Sequence, residues 1–299
     1  MAEAGLLEQT VNLLRPVLPR RFRGDIPVVP VVRLSGVIGF STPLRPGITL
    51  AGVAKQLDRA FAYPRARAVA LLINSPGGSA VQSHLVFQRI RQLAAEKPRP
   101  VFAFLEDVAA SGGYMIACAA DEIVADPSSI VGSIGVIGAS FGFVKLIDKI
   151  GVERRIYTAG VNKAMLDPFL PENPDHVARL KAIQSDIHAT FIDLVKSRRG
   201  SKLSDAEPDL FTGEYWAAKK GLEIGLVDRI GDMRSFLRER FGDKVETPLI
   251  SAPRSLLGRT APGVGIEQLL DRGSLDRGSL ADDLVSALEA RALWARYGL

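Results

Sequence analysis

Short apolar runs alternate with amphipathic segments along residues 26–240, and this alternation predicts strands and helices in turn. Runs such as AVALLINSP and RPVFAFLED are almost continuously apolar, which is typical of strands buried on both faces. Between them, SAVQSHLVFQRIRQLAAEK has apolar residues at helical spacing. Its predicted inward face contains Val81, Leu85, Ile90 and Leu93. The pattern predicts an α/β domain with a largely buried, parallel sheet.

A second, longer helix is predicted over residues 173–199. Its predicted apolar face contains Leu180, Ile183, Ile187 and Phe191.

Outside the domain, residues 1–25 predict an N-terminal amphipathic helix with arginines, which packs on protein or rests on anionic lipid. Residues 241–280 are rich in Ser, Pro and Gly, contain the duplication DRGSLDRGSL and predict a linker. Residues 281–299 predict a C-terminal amphipathic helix that has no core of its own and must dock elsewhere.

Composition narrows the function classes. The 299 residues are 47% hydrophobic and carry a net charge of +5, with the basic residues scattered along the chain. Because no basic and aromatic residues interleave, we expect no nucleic-acid partner. No apolar run approaches the roughly 18–20 residues that span a bilayer. We therefore expect a cytoplasmic protein, with peripheral contact to the inner face of the membrane as the alternative role of the N-terminal helix.

Metal and disulfide chemistry find little support. Cys118 is the only cysteine, which leaves no partner for an intrachain disulfide. The three histidines, His84, His176 and His188, lack the spacing of metal ligands. We expect no metal and no cofactor.

Three small-residue turns follow predicted strands: NSPGGS (74–79), AASGGY (109–114) and IVGSIGVIG (130–138). Such turns place free backbone N–H groups at the carboxyl ends of a parallel sheet, where ligands of α/β folds usually bind. Gly77 and Gly78 would let the backbone approach a substrate and hold a developing oxyanion. A phosphate site remains the alternative, although the chain has no GxxxxGK[ST] motif.

Ser111 stands between an apolar strand and two glycines, and the turn alone leaves two interpretations open. It is either the N-cap of the next helix or a nucleophile. A nucleophilic serine needs a base, and the histidines all lie within predicted helices. Lys163 lies in a loop among Ala, Val, Met, Leu and Phe, a setting that favours a neutral amine, although a solvated loop lysine fits the same pattern.

Four motifs occur together in one order: INSPGG, ASGGYMIACAADEIVADPSSIVGSIGV, AGVNKAMLDPF and FTGEYWAAKKGLEIGLVD. In these motifs the chain resembles the signal peptide peptidase A family of serine–lysine endopeptidases, over about residues 28–240. The resemblance implies a Clp protease/crotonase-like fold, with repeated ββα units and a largely parallel, curved sheet.

The resemblance also implies roles for five residues. Ser111 matches the nucleophile, Lys163 the general base, and Ser133 the serine that orients the lysine. Gly78 matches the backbone oxyanion donor, and Gly112 would be the second donor. Short members of the family form homo-oligomeric rings in which the lysine reaches the serine of a neighbouring protomer. The implied substrates are short or unstructured peptides, including signal-peptide remnants.

Two rival functions remain open on the same fold. A crotonase-like acyl-CoA enzyme would use the glycine loops on a thioester and give Ser111 and Lys163 no role. A non-catalytic ring scaffold would assemble without serine reactivity. Family members that act on membrane-resident signal peptides commonly carry a transmembrane anchor. The chain shows none, so we expect a peptidase that is soluble or bound peripherally.

Overall fold

The computed structural model describes residues 26–39, 47–204, 207–251, 288 and 291–299. The predicted N-terminal helix over residues 1–25 therefore lies outside the described residues, as does most of the predicted linker.

Strands and helices alternate through the described chain. The strands are β1 (Val31–Ser35), β2 (Val69–Ser75), β3 (Val101–Ala110), β4 (Glu122–Ala125), β5 (Ile130–Gly132), β6 (Tyr215–Ala217) and β7 (Arg229–Ile230). The helices are α1 (Leu50–Phe61), α2 (Ala80–Glu96), α3 (Gly112–Ala117), α4 (Val144–Lys149), α5 (Pro174–Arg199), α6 (Ala218–Glu223) and α7 (Met233–Phe241). A short 3-10 turn, Gly200–Lys202, follows α5.

The strands form one sheet in the order β1-β2-β3-β4-β7, and β5 joins the carboxyl half of β3 to β6. All strand pairs except β5 with β6 are parallel. Parallel neighbours place their carboxyl ends at one edge, so the turns after β2, β3 and β5 come together there. The predicted α/β class and largely parallel sheet are confirmed.

Alternate residues of β3 enter two apolar cores on opposite faces of the sheet. Val101, Ala103 and Leu105 join the larger core beneath α1, α2 and α3. Phe102 and Phe104 pack against Phe236 of α7, with the rings of Phe102 and Phe236 5.1 Å apart. Because both faces are covered, β3 has to be apolar throughout this stretch, as the sequence pattern indicated.

Two predicted helix faces differ from the structure. In α2 the inward side contains Ser83, Val86, Ile90 and Leu93, whereas Val81 is 66% exposed. Val81 lies in the first turn of α2, before the first buried residue of the helix, Ser83. In α5 only the carboxyl half is buried, and Ile183 and Ile187 are 47% and 37% exposed. An amphipathic pattern identifies an apolar face but not the element that covers it.

The compact fold continues past the predicted boundary at residue 240. Val29 N–H donates to the Glu246 carbonyl (2.8 Å), and Ile250 N–H donates to the Val31 carbonyl (2.8 Å). At the C-terminus, residues 291–295 are helical, and Tyr297 packs on Val108 and Ala110 of β3. The end of the predicted C-terminal helix therefore docks on the strand that leads to Ser111.

Candidate active site

Ser111 stands at the N-cap position of α3, but its hydroxyl does not cap the helix. No side-chain hydrogen bond joins Ser111 to the first turn, and its backbone has φ 52° and ψ −122°. The N-cap side chains of α1, α2, α5 and α7 do accept a backbone N–H; they are Thr49, Ser79, Asn173 and Asp232. The cap interpretation of Ser111 is therefore wrong, and the hydroxyl is left for other contacts.

Ser133 lies beside Ser111 because of the register of two parallel strands. Ala110 of β3 pairs with Gly132 of β5, so each serine is the next residue after a paired position. The Ser111 N–H donates to the Gly132 carbonyl at 2.8 Å. Ser133 is 4% exposed and has φ 52°, and its N–H donates to the Glu214 carbonyl at 2.6 Å. Both serines thus leave the sheet with the same unusual positive φ.

The Gly77–Gly78 turn packs against Ser111 and the segment around Ile38. A Cβ on Gly77 would lie 2.7 Å from the Ser111 Cβ, and a Cβ on Gly78 would lie 2.1 Å from the Ile38 carbonyl oxygen. Both glycines have positive φ, at 103° and 139°, which L side chains rarely adopt. Within the described ranges, the N–H groups of Gly78 and Gly112 donate to no protein acceptor. Both backbone donors are therefore without a protein partner among the described residues.

Close packing explains the two glycines after Ser111. A Cβ on Gly112 would lie 2.2 Å from the Ser83 hydroxyl oxygen, and one on Gly113 would lie 2.5 Å from the Ser75 carbonyl oxygen. The glycines therefore let α3 approach α2 and β2. This approach fixes the start of α3 against the rest of the fold.

Polar contacts hold the middle and the carboxyl end of α3. Tyr114 Oη donates to the Leu226 carbonyl at 2.9 Å, and Arg198 Nε donates to the Cys118 carbonyl at 2.9 Å. Burial raises the pKa of Tyr114 well above its ordinary value and raises the pKa of the Cys118 thiol to about 12. Cys118 therefore remains a neutral thiol and packs as an apolar residue.

Lys163 forms no described contact with these residues. It belongs to an exposed arm, residues 136–172, in which Phe143 and Phe169 pack with ring centroids 5.4 Å apart. Lys163 is exposed, and no described residue forms a hydrogen bond or ion pair with its ammonium group. Strand pairing and close contacts bring together Ser111, Ser133, Gly78 and Gly112, and none of the described contacts that join these four residues includes Lys163.

Two residues that the sequence analysis did not assign to this region form hydrogen bonds near it. His188 of α5 lies with Nε2 3.0 Å from the Ile134 carbonyl oxygen, one residue after Ser133. Asn74 Nδ2 donates to Asp107 (2.5 Å) beside the glycine turn. The NSPGG motif contained a signal for Asn74, whereas His188 matched only a helical pattern.

The part of the chain that the structure describes contains no group of three His, Cys, Asp or Glu side chains that could hold a metal ion. Nor does any described helix combine the length and apolar character that crossing a bilayer requires.

Comparisons with known proteins identify the family of the chain. The sequence model of peptidase family S49 matches residues 93–241, which include both serines and Lys163. The Synechocystis sp. protein slr0021, named a putative protease, is 32% identical over 207 residues, covering 67% of this chain and 73% of that protein. The chain belongs to peptidase family S49.

A Brucella abortus relative named Na(+)/H(+) antiporter NhaA is 56% identical over 293 residues, which is 96% of this chain. The match covers 39% of that protein, so the chain spans about two fifths of the length of this curated relative. Its name therefore assigns no activity to the S49 chain.

Among solved structures, a serine-to-alanine mutant of the membrane-bound stomatin-specific protease 1510-N is 17% identical. The match covers 76% of this chain and 99% of that one, with a TM-score of 0.47.

Proposed function

We propose that this S49 chain is a serine endopeptidase that cleaves short or unstructured peptides with Ser111 as the nucleophile. One observation carries the proposal: the Ser111 hydroxyl stands at a strand end without capping its helix, beside Ser133 and the Gly77–Gly78 turn. Membership of a peptidase family supports peptide hydrolysis over the acyl-CoA alternative.

Acylation would use a serine–lysine dyad. The neutral amine of Lys163 takes the Ser111 Oγ proton as Oγ forms a bond to the scissile carbonyl carbon. The carbonyl π electrons move to oxygen, and the N–H groups of Gly78 and Gly112 stabilise that oxyanion. The oxyanion then collapses, the C–N bond breaks, and the lysine ammonium protonates the leaving amine. Ser133 orients the lysine through its hydroxyl.

Deacylation repeats the sequence with water. The neutral lysine removes a proton from a water molecule, which adds to the acyl carbon. The second oxyanion collapses, the Oγ–C bond breaks, and the proton returns to Ser111. The cycle consumes one water per peptide bond and needs no cofactor.

The base would come from a neighbouring copy of the chain. The arm that contains Lys163 exposes large apolar side chains, including Phe141 at 78%, Tyr157 at 91% and Val161 at 98%. Such surfaces on one segment are typical of protein interfaces. We infer that the arm packs on a second protomer in a homo-oligomeric ring and delivers Lys163 to the Ser111 of that protomer.

Mixed assemblies test the shared site. Ser111→Ala and Lys163→Ala homo-oligomers should both be inactive toward a quenched fluorescent peptide library. Co-refolded mixtures should regain activity, because some sites then combine an intact Ser111 with an intact Lys163 from its neighbour. If mixtures with demonstrated subunit exchange stay inactive, both groups must come from one chain.

Labelling with a fluorophosphonate probe across pH tests the nucleophile. We expect wild-type protein to be labelled at Ser111, and we expect Ser111→Ala and Lys163→Ala to remain unlabelled. An assembled wild-type protein that resists the probe at every pH would overturn the proposal and favour the non-catalytic ring scaffold.

The substrate class and the location of the protein remain predictions. The resemblance supports signal-peptide remnants as one source of unstructured peptides, bound as an extended strand. The peripheral membrane contact depends on the predicted N-terminal helix, and residues 1–25 lie outside the described residues.

A further inference from the structure

β3 contains an irregularity just before the proposed nucleophile. Ile73 of β2 faces Leu105 of β3, and Ser75 faces Ala109, so two steps along β2 match four steps along β3. The extra residues fall between Leu105 and Ala109. Bulges of this kind redirect a strand and often lie next to active sites. This one determines where the end of β3, and therefore Ser111, lies relative to β2.

Asn74 of β2 bridges the bulge with its side chain. Its Nδ2 donates to Asp107 Oδ2 at 2.5 Å, and its Oδ1 accepts the Val108 N–H at 3.3 Å. The two contacts define the orientation of the amide, because a flipped amide would place its oxygen against the carboxylate. The side chain thus supplies the pairing that the bulged backbone loses, with a charge-assisted bond to Asp107.

The backbone of Asn74 is connected to the glycine turn through residues 36–38. Its carbonyl accepts the Gly36 N–H at 2.9 Å. Two residues later, Ile38 pairs with the turn: its N–H donates to the Gly77 carbonyl, and its carbonyl accepts the Ser79 N–H, both at 2.8 Å. The Asn74 side chain therefore contacts β3, the strand that leads to Ser111. Its carbonyl binds the segment 36–38, which packs against Gly78.

We propose that Asn74 and Asp107 form a positioning pair that sets the distance between the Ser111 hydroxyl and the Gly78 N–H. The inference rests on the proposed function, since these two groups must meet one carbonyl group of the substrate. Neither member of the pair touches the reacting atoms. Their role is to hold two separate strand ends in a single geometry.

The same bulge offers a matched control. Glu106, next to Asp107, accepts two hydrogen bonds from Arg33 Nη2 of β1, at 2.8 and 3.1 Å. This ion pair also joins the bulge to another strand of the sheet, β1, which lies on the far side of β2, but it does not contact Asn74 or the glycine turn. Glu106→Gln therefore weakens the bulge without disturbing the proposed pair.

A side-chain exchange tests the pair. Asn74→Asp places two carboxylates in contact and removes the donor. Combining Asn74→Asp with Asp107→Asn restores the bond in reverse, since the carboxylate at 74 can accept from the amide at 107 and still accept the Val108 N–H. The measurement is the second-order rate of fluorophosphonate labelling at Ser111, with oligomeric state and unfolding midpoint recorded for every variant.

We expect Asn74→Asp to slow labelling at least about tenfold, since small misplacements of reacting groups carry penalties of this order. The double exchange should return close to the wild-type rate, and Glu106→Gln should keep that rate even if its unfolding midpoint falls. A wild-type rate in Asn74→Asp would overturn the pair, as would an assembled double exchange that stays slow. Equal slowing by Glu106→Gln would also overturn it, by reducing its role to general stability.

Failure of the proposed function gives a different result. If wild-type protein is not labelled at Ser111, the nucleophile assignment falls, and the positioning pair falls with it. If wild-type protein is labelled and only the exchange pattern fails, the nucleophile stands and the pair alone is refuted.

Discussion

Replacing Ser111 by glycine should abolish labelling and yet stabilise the protein relative to Ser111→Ala. Both variants lack the hydroxyl, so their difference isolates the effect of a Cβ at φ 52° and ψ −122°. Glycine adopts positive φ without the steric penalty that every L side chain meets there. The comparison therefore separates backbone strain from hydroxyl chemistry at the same position.

The expected magnitudes follow from the local geometry. A residue held in a sparsely populated backbone region carries about 1–3 kcal/mol of strain. Glycine also gives the unfolded chain more freedom, which offsets about 0.4–1 kcal/mol of that gain. We expect Ser111→Gly to exceed Ser111→Ala by about 1 kcal/mol, or about 2–4 °C in Tm for a domain of this size. Ser111→Ala itself should stay within about 0.5 kcal/mol of wild type, because no cap is lost.

Urea unfolding, followed by circular dichroism on assembled protein, measures these differences. Two controls set the scale. Asp232→Ala removes a genuine cap, in which Oδ1 accepts the Ser235 N–H at 2.9 Å, and should cost about 1 kcal/mol. Ala189→Gly, at an exposed position of α5, should also cost about 1 kcal/mol. If Ser111→Ala loses as much as Asp232→Ala, or Ser111→Gly is the less stable of the pair, our account of Ser111 is refuted.

Three further predictions concern packing, acid stability and a buried hydroxyl. A Cβ on Gly113 would lie 2.5 Å from a backbone carbonyl of β2, whereas one on Gly142 would meet nothing within 4 Å. Gly113→Ala should therefore lower the free energy of unfolding by about 1–3 kcal/mol while Gly142→Ala stays neutral, and equal urea midpoints would contradict this. Burial raises the pKa of Asp228, but hydrogen bonds from an arginine and a lysine outweigh it and hold the pKa below its ordinary value. The ionised Asp228 stabilises the folded protein fully at pH values above the pKa of about 3.9 that an aspartate has in the unfolded chain, and this stabilisation is lost as pH falls through the lower pKa of the folded state. Asp228→Asn should therefore flatten the dependence of the unfolding free energy on pH below about pH 4. The Tyr297 hydroxyl is buried without a hydrogen-bond partner among the described residues, so Tyr297→Phe should keep or raise Tm; a lower Tm would mean that the hydroxyl has a partner in the assembly.

Local patterns predicted the elements well and the covered faces less well. The apolar runs of β2 and β3 identified buried parallel strands, because residues enclosed on both faces have to be apolar. Helical spacing identified α2 and α5 but placed Val81 inward and implied a covered face for α5. Periodicity describes a helix about its own axis, whereas burial depends on where a neighbouring element ends.

The sequence by itself determined the fold class, the glycine turns and the family to which its motifs belong, because these depend on the order and spacing of residues along one chain. Only the tertiary structure decided that the Ser111 hydroxyl is not a cap, that Ser133 lies beside it, and that Asn74 bridges the bulge of β3. Each of these facts depends on strand register. Register arises from contacts between segments that are distant in sequence, so the spacing of residues along the chain does not reveal it.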